Sequence, residues 1–470
     1  MMTEAVTYEN LLLQLGQTPL SVHHLTITEE PGRHGRLSVD AETEEGAKDY
    51  LLYEEFGGVA LYADRGESLQ PLFYGIVTRM EVAARGGRCE VSLEAVTQSY
   101  LMDLAALDCS FQDTAMTSHQ LVKGIMESYP GSQARIAVPD EPLGRIAVQY
   151  QETDWEFIKR VLSGQGAAVY ADSTLPGIHL RMGLADEQEE TDWDRLPYTV
   201  VRDTAPENAS KGPKGQVRYT VQADDIFPLG KKVLFHGQEL YVGMISRQLQ
   251  QGILASQYTL YFREGLEIPG YGNPLLCGVS LYGVVTEVRR SRVRVALGTD
   301  TSTPCRDAYF YPYSTVAASP DGSGWYCMPK PGDPVRIFFP SDDEGEGYAV
   351  SNTVGQSSPG QGSPISNPDL KDLVMPDGKG VKFIENGIQM CVGEFKGSAM
   401  LTNDGKILVE VQDDRDIRIC SEGQVYFTAG DEGQIEATAG TKIHITNDAG
   451  GEIIMEGDTI QIKAPMIENN

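Results

Sequence analysis

Over residues 373–467, short segments of alternating apolar and polar positions recur behind Gly and Asp turns. In order they are 406–412 (KILVEVQ), 416–421 (DIRICS), 424–429 (QVYFTA), 434–439 (QIEATA), 442–447 (KIHITN), 452–457 (EIIMEG) and 459–464 (TIQIKA). Within a segment the apolar residues fall at i and i+2, as in Ile417/Ile419, Ile443/Ile445, Ile453/Met455 and Ile460/Ile462. That is the period of a β-strand with one apolar face and one wet face. The first apolar residues, Ile407, Ile417, Val425, Ile435, Ile443, Ile453 and Ile460, are spaced 10, 8, 10, 8, 10 and 7 apart. A two-strand unit of about 18 residues therefore repeats, which marks a stacked architecture.

One chain supplies only a narrow stripe: Ile407, Val409, Ile417, Ile419, Val425, Phe427, Ile435, Ile443, Ile445, Ile453, Met455, Ile460 and Ile462. Burying each contributes roughly 1.5–3 kcal/mol, against about 1.5 kcal/mol of ordering entropy for every residue fixed. About fifteen such residues cannot offset the ordering of some sixty. The stripe requires partners, and identical chains around a common axis, stripes inward, close the strand edges and bury the stripes together. The expectation is a spike of several copies, most simply three. A β-solenoid closed within one chain is the alternative, but its coils usually need three faces per turn and these units supply two strands.

The preceding chain carries different periods. Runs at 21–28, 36–39, 59–63, 72–80 and 88–96, broken by Gly57-Gly58 and Gly86-Gly87, predict a small β-barrel. The adjacent His23 and His24 are expected on opposite faces of a strand and not as a metal pair. From Thr117 the spacing turns helical, with Leu121, Val122, Ile125, Met126 and Tyr129 ahead of a Pro130-Gly131 stop. A second helix begins at Thr153, read as a capping box with Glu156, buries Trp155, Ile158, Val161 and Leu162, and ends at Gly164. Strands return at 216–222, 232–235, 239–246 and 257–263, predicting a second small barrel. After the turn-rich boundary 270–275, residues 277–295 form a strand pair closed by the basic turn 289–292. Residues 325–350 complete a compact unit of OB-like size.

The stretch 149–172 (QYQETDWEFIKRVLSGQGAAVYAD) resembles the phage late-control protein D and VgrG family of spike and hub proteins. Tyr150, Glu152, Thr153, Asp154, Trp155, Phe157, Ile158, Arg160, Val161, Gly166 and Tyr170 carry the match. A second match to the same family lies in Gly283, Val285, Val293, Val295, Met328, Pro329, Gly332, Asp333, Val335, Ile337 and Phe339. There Pro-x-x-Gly-Asp makes a tight turn that launches a core strand. The resemblance implies a hub of two barrels with an α/β insertion near 111–200 (residues 1–270), an OB-fold domain (275–354), a linker (355–370) and a trimeric β-helix or β-prism spike (371–470). The expected fold class is mainly β with a small α/β insertion.

Composition narrows the function. The 470 residues hold 67 acidic and 38 basic side chains, a net charge of −29. No basic stripe for phosphates is present, so no nucleic-acid partner is expected. An anionic membrane would be met only transiently, by mechanical puncture. The seven scattered cysteines read as reduced thiols and suggest no zinc site. The N-terminus shows no signal peptide and no apolar run reaches membrane-spanning length. Assembly in the cytoplasm, with later delivery outside the cell or into a target cell, is expected.

Carboxylates offer little chemistry. Glu152, Asp154 and Glu156 are read as cap and helix-dipole residues, Asp333 as a turn residue, and Asp413, Asp414, Arg415 and Asp416 as a solvated turn between repeats. No catalytic residue, cofactor or metal is expected; His444 is flanked by Ile443 and Ile445, which hold the apolar face. The reading is a structural hub-and-spike protein of a contractile injection system that caps the tail tube and pierces the target envelope. Its expected partners are two further copies, the tail-tube protein, baseplate components, and a PAAR-like tip protein or effector seated on Ala464, Pro465, Met466 and Ile467. A β-solenoid polysaccharide-degrading enzyme and a tail-fibre adhesin are the alternatives; neither accounts for the hub helix motif and the Pro-x-x-Gly-Asp barrel together.

Overall fold

The computed structural model describes residues 6–351 apart from 17, 54–57, 67, 185, 190, 206–209, 301–307, 319–323 and 326, and residues 371–468 apart from 376, 394–395, 413–414 and 432. The expected linker 355–370 and Cys305 lie outside them. The chain divides into two compact units, Met1–Thr353 and Val354–Asn470.

The first unit opens with strands β1 (Leu11–Leu15), β2 (Thr18–Glu29), β3 (Arg36–Glu44), β4 (Val59–Asp64), β5 (Leu69–Arg85) and β6 (Arg88–Val96), with the short helix α1 (Lys48–Tyr53) after β3. Their antiparallel order β1-β4-β5-β6-β3-β2, completed by pairing of β1 with β2, is a closed six-stranded barrel. Alternation fills it: Leu11, Leu13 and Leu15 from β1, Leu37, Val39 and Ala41 from β3, and Val91, Leu93 and Ala95 from β6 point into one core. The expectation for His23 and His24 is corrected. A bulge between Val22 and His24 breaks the register with β3, and both histidines are exposed. His23 Nε2 lies 3.3 Å from Glu42 Oε2.

Between the barrels the chain forms β7 (Ala106–Phe111), α2 (Ser118–Met126), β8 (Gln133–Ile136), β9 (Ala147–Thr153), α3 (Asp154–Ser163), β10 (Val169–Ala171) and β11 (His179–Met182). The apolar faces of both helices share a core with Val169, Ala171, Leu180 and Met182. The full capping box belongs to α2, where Thr117 and Gln120 satisfy each other's backbone N–H. At α3, Thr153 Oγ1 accepts from Glu156 N at 3.2 Å. The reciprocal bond is absent because the Glu156 carboxylate pairs with Lys159 at 2.7 Å. Gly164 caps α3 in helical conformation, and the left-handed turn falls at Gly166, φ 71°.

The chain continues through β12 (Gln188–Glu189), β13 (Tyr198–Arg202), the one-turn helix α4 (Gly212–Gly215), β14 (Val217–Gln222), β15 (Lys232–Phe235), β16 (Gln238–Gln250) and β17 (Ile253–Tyr261). These give a second, nearly closed barrel that continues the first sheet through the β2–β16 pairing. At that seam Arg247 donates to Glu29 Oε1 at 2.8 Å, both fully buried. Burial raises the Glu29 carboxyl from its ordinary value while Arg247 pulls it back.

Strands β18 (Ser280–Arg289), β19 (Arg292–Leu297), β20 (Tyr311–Pro312), β21 (Ala317–Ala318), β22 (Gly324–Trp325), β23 (Pro334–Phe338) and β24 (Tyr348–Ser351) follow. Five of them pair in the order β20-β19-β18-β23-β24, and a parallel bridge between Tyr313 and Ala349 brings the ends together. Val285, Val293, Val295, Val335, Ile337 and Phe339 fill its core. A Cβ on Gly283 would lie 2.4 Å from the Val295 side chain and 2.6 Å from the Ala296 carbonyl, so the crossing requires glycine. Gly332 turns with φ 96°, and Asp333 Oδ2 accepts from Lys330 N at 2.7 Å, as a turn residue does.

The family helix motif has a role that its sequence did not reveal. Arg160 of α3 is buried, and its Nε lies 2.9 Å from Glu152 Oε1. It also donates to the Val148 carbonyl at 2.8 Å and to the buried Glu344, which precedes β24 in the five-stranded barrel. Glu152 is thus an arginine partner and not a cap. Asp154 is buried and accepts from Gln149 at 3.0 Å and Tyr129 at 2.8 Å. Ile146 and Val148 enter the five-stranded core beside this triad, joining motif helix and barrel into one packed body.

Candidate assembly surfaces

The second unit is built from two antiparallel meanders. In the first, β25 (Lys371–Val374), β26 (Gly380–Ile384), β27 (Gly387–Val392), β28 (Gly397–Thr402) and β29 (Ile407–Val411) pair in chain order. Register sets Leu373, Val381, Met390, Ala399 and Val409 in one cross-strand row, and Phe383, Ile388, Leu401 and Ile407 in the next. Both rows lie on the same face, since i and i+2 share a side. That face is open: Phe383, Met390 and Leu401 are exposed, and Ile407 is 75% exposed. The four strands before Ile407 were not among the repeat segments read from the sequence. The alternation in 381–384, 387–392 and 397–402 was the signal, masked by Gly-rich turns and by polar residues on the other face.

The second meander pairs β30 (Lys442–Thr446), β31 (Glu452–Glu456) and β32 (Thr459–Lys463). Ile443, Met455 and Ile460 stand in one row, and Ile445, Ile453 and Ile462 in the next. Six apolar side chains thus tile one face, and all but the half-buried Ile443 are exposed. His444 lies on the opposite face, opposite Ile454, with Nε2 3.9 Å from Glu452 Oε1. Among the described residues no group of three or more His, Cys, Asp or Glu side chains suits a metal ion.

Between the meanders the sequence pattern predicts three strands, at 416–421, 424–429 and 434–439. The structure assigns none there. A strand exists only with a hydrogen-bonded neighbour, and within one chain these segments have none. Ile417, Ile419, Val425, Phe427 and Ile435 remain exposed, Phe427 by 68%. Beyond β32, Ala464, Pro465, Met466 and Ile467 are exposed as well. Of the acidic turn, Asp413 and Asp414 lie outside the described residues, and Asp416 pairs with Arg418 at 2.9 Å in solvent.

One constellation in the first unit escaped sequence reasoning because its members are scattered. Ser99 Oγ lies 2.8 Å from His34 Nδ1, and His34 Nε2 lies 3.3 Å from Asp103 Oδ2. These are the residue types of a hydrolytic triad. However, Ser99 is buried and also bonded to Thr97 Oγ1 at 2.8 Å, and Asp103 also accepts from Thr153 Oγ1 at 2.6 Å. The chain ties the turn before β3 to the start of α3. Burial lowers the His34 pKa, against the opposing pull of Asp103.

Residues 58–220, spanning the last three strands of the first barrel and the motif helix, match the family model described as the phage tail baseplate hub (GPD). This stretch is similar to the phage tail baseplate hub. The hub and the sheets beyond it also have counterparts among solved structures. The c3393 protein of E. coli is described as a component of the type VI secretion system that exhibits structural similarity to the T4 bacteriophage tail proteins gp27 and gp5. It is 14% identical, with a TM-score of 0.51 over 72% of this chain and 98% of that one. A chain of the Francisella PdpA–VgrG complex, in its half-lidded form, matches at 7% identity and a TM-score of 0.53, covering 86% of this chain and 88% of that one. The lidless form of that complex matches at 8% identity and a TM-score of 0.52, covering 83% and 93%. At these identities the likeness is one of fold: the chain has the mainly β, multi-barrel build of hub and spike proteins. No curated protein sequence matches it. Among the described residues, no helix is long and apolar enough to cross a membrane.

Proposed function

We propose that this chain is the hub and spike of a contractile injection system, acting mechanically as a homotrimer and not as an enzyme. The observation that carries the reading is the state of the second unit. Two meanders present apolar rows in register to solvent, and between them three alternating segments have no ladder partner. Two further copies supply both missing elements, apolar surface against the rows and strand edges beside 416–439. Residues 371–470 then form an intertwined β-helix or β-prism that punctures the target envelope.

The remaining assignments follow the hub domain. Residues 1–270 cap the tail tube and meet baseplate components. Residues 275–354 form an OB-fold collar, a reading supported by the ring order β18-β19-β20-β24-β23 with its parallel β20–β24 contact. Residues 355–370 link collar to spike. The exposed Ala464–Ile467 end receives a small PAAR-like tip protein or effector; the Francisella chain matched above was itself solved in a PdpA–VgrG complex. The protein assembles in the cytoplasm and leaves it on contraction.

Light scattering on the purified full chain tests the core of this reading. A mass of three chains is expected at micromolar concentration, and a monomer overturns the proposal. Removal of residues 465–470 is expected to abolish co-purification of the tip protein while leaving the trimer intact; unchanged co-purification places the tip site elsewhere.

A further inference from the structure

Strands β8 and β11 pair in parallel with Gln133 opposite His179 and Arg135 opposite Arg181. Their alternate residues, Ala134, Ile136, Leu180 and Met182, face the core shared with α2 and α3. Gln133, Arg135, His179 and Arg181 therefore share the other face. Neighbouring strands lie about 4.8 Å apart, so the two arginines leave adjacent strands at the same level, and directly opposed like charges in a sheet are destabilising. Neither arginine forms an ion pair among the described residues. Arg181 is anchored by donation to the Leu229 carbonyl at 3.0 Å, and Arg135 is exposed. A cavity of about 260 Å³ opens over them, lined also by Asp172 and the exposed Leu175. The Asp172 carboxylate is held by the backbone N–H and hydroxyl of Thr174, at 2.9 and 2.6 Å. Burial first, with Arg135 adding to it and Asp172 opposing, lowers the Arg181 pKa.

We infer that this cleft is an oxyanion site that takes a side-chain carboxylate of an acidic peptide segment. Two forked guanidinium groups in register match the two oxygens of one carboxylate. Leu175 at the rim offers apolar contact to a peptide, which a free inorganic ion does not use.

Fluorescence anisotropy of labelled hexaglutamate titrated with the full chain tests the assignment, with inorganic phosphate as a parallel probe. Binding that weakens with added salt is expected. Arg135→Gln, at an exposed position that leaves the fold intact, is expected to weaken it roughly tenfold. Glu187→Gln, which removes an acid near Arg181, is expected to strengthen it. Unchanged affinity in Arg135→Gln, or phosphate binding without hexaglutamate binding, overturns the inference. Either result leaves the hub-and-spike reading standing, because trimer mass does not depend on this cleft.

Discussion

Strands β6 and β29 follow the same rule of alternation and meet opposite fates. In β6, Val91, Leu93 and Ala95 are buried almost completely; in β29, Ile407, Val409 and Val411 are exposed. The difference is closure. β6 lies between β5 and β3 in a sheet that returns on itself, so its inner face has a floor of other strands. β29 ends an open meander, and among the described residues its apolar face stays exposed. Period 2 predicts a strand with a face to bury, and topology decides whether the same chain can bury it.

The sharpest way to break the comparison is to charge the open face. Ile445 and Ile453 are directly opposed in adjacent strands. The double variant Ile445→Asp/Ile453→Asp places two carboxylates per copy on the face that the proposed trimer buries, and the assembly is expected to be lost outright. Analytical ultracentrifugation reads the result as a fall from three chains to one. A variant that stays trimeric means that this face is not the interface. The same charges on the face carrying His444 should leave the mass unchanged.

The first unit should fail differently, from within. Arg160→Ala strips the half-buried Glu152 and the buried Glu344 carboxylates of their shared cation, and removing one partner of a buried ion pair costs about 3–5 kcal/mol. Adding Glu152→Gln and Glu344→Gln removes the stranded charges and should recover most of that loss. Urea unfolding followed by Trp fluorescence measures both. If the triple variant is no more stable than Arg160→Ala, charge pairing is not what holds motif helix to barrel.

A matched pair of truncations then separates internal from shared burial. Leu93→Ala empties a place in the closed barrel and should cost about 2–5 kcal/mol at any protein concentration. Phe427→Ala touches a side chain with no cover in the single chain. Its cost should appear only in the assembled protein, as a higher concentration needed for assembly than in the unaltered chain. A concentration-independent loss at Phe427 would assign its burial to its own chain.

This contrast also sets what could be read from the sequence. The barrels, both helices, the Pro-x-x-Gly-Asp turn and the strands at 442–463 were legible because each is encoded locally, by period and turn chemistry. The three segments at 416–439 carry the same period and form no strand, because a ladder needs a neighbour that local sequence does not name. The Glu152–Arg160–Glu344 triad was illegible for a related reason: nearly two hundred residues separate Arg160 from Glu344, and only the docking of barrel on helix brings them together. The bulge at His23 and the left-handed turn at Gly166, two residues past Gly164, were small errors of geometry.

The smallest effect concerns His34, where the closed unit meets pH. The ring packs against Trp155 with centroids 4.3 Å apart and the planes tilted by 36°. Its hydrogen bonds are satisfied by the neutral form, with Nε2–H donating to Asp103 and Nδ1 accepting from Ser99. A second proton on Nδ1 would require the Ser99 hydroxyl to turn its own proton away, toward Thr97 Oγ1. Burial holds the folded pKa below its ordinary value of about 6.5. Above that value both folded and unfolded chains carry a neutral ring, and the shift contributes nothing. As pH falls through about 6.5 the unfolded chain takes up its proton first, so stability declines, by at most about 1.4 kcal/mol per pH unit. The decline levels off once the folded ring is protonated too. His34→Gln removes this slope, so the gap in Tm between the two proteins should narrow from about pH 7 to about pH 5. A gap that stays constant over that range would mean that Asp103 offsets burial at this junction, and one that widens that it outweighs it.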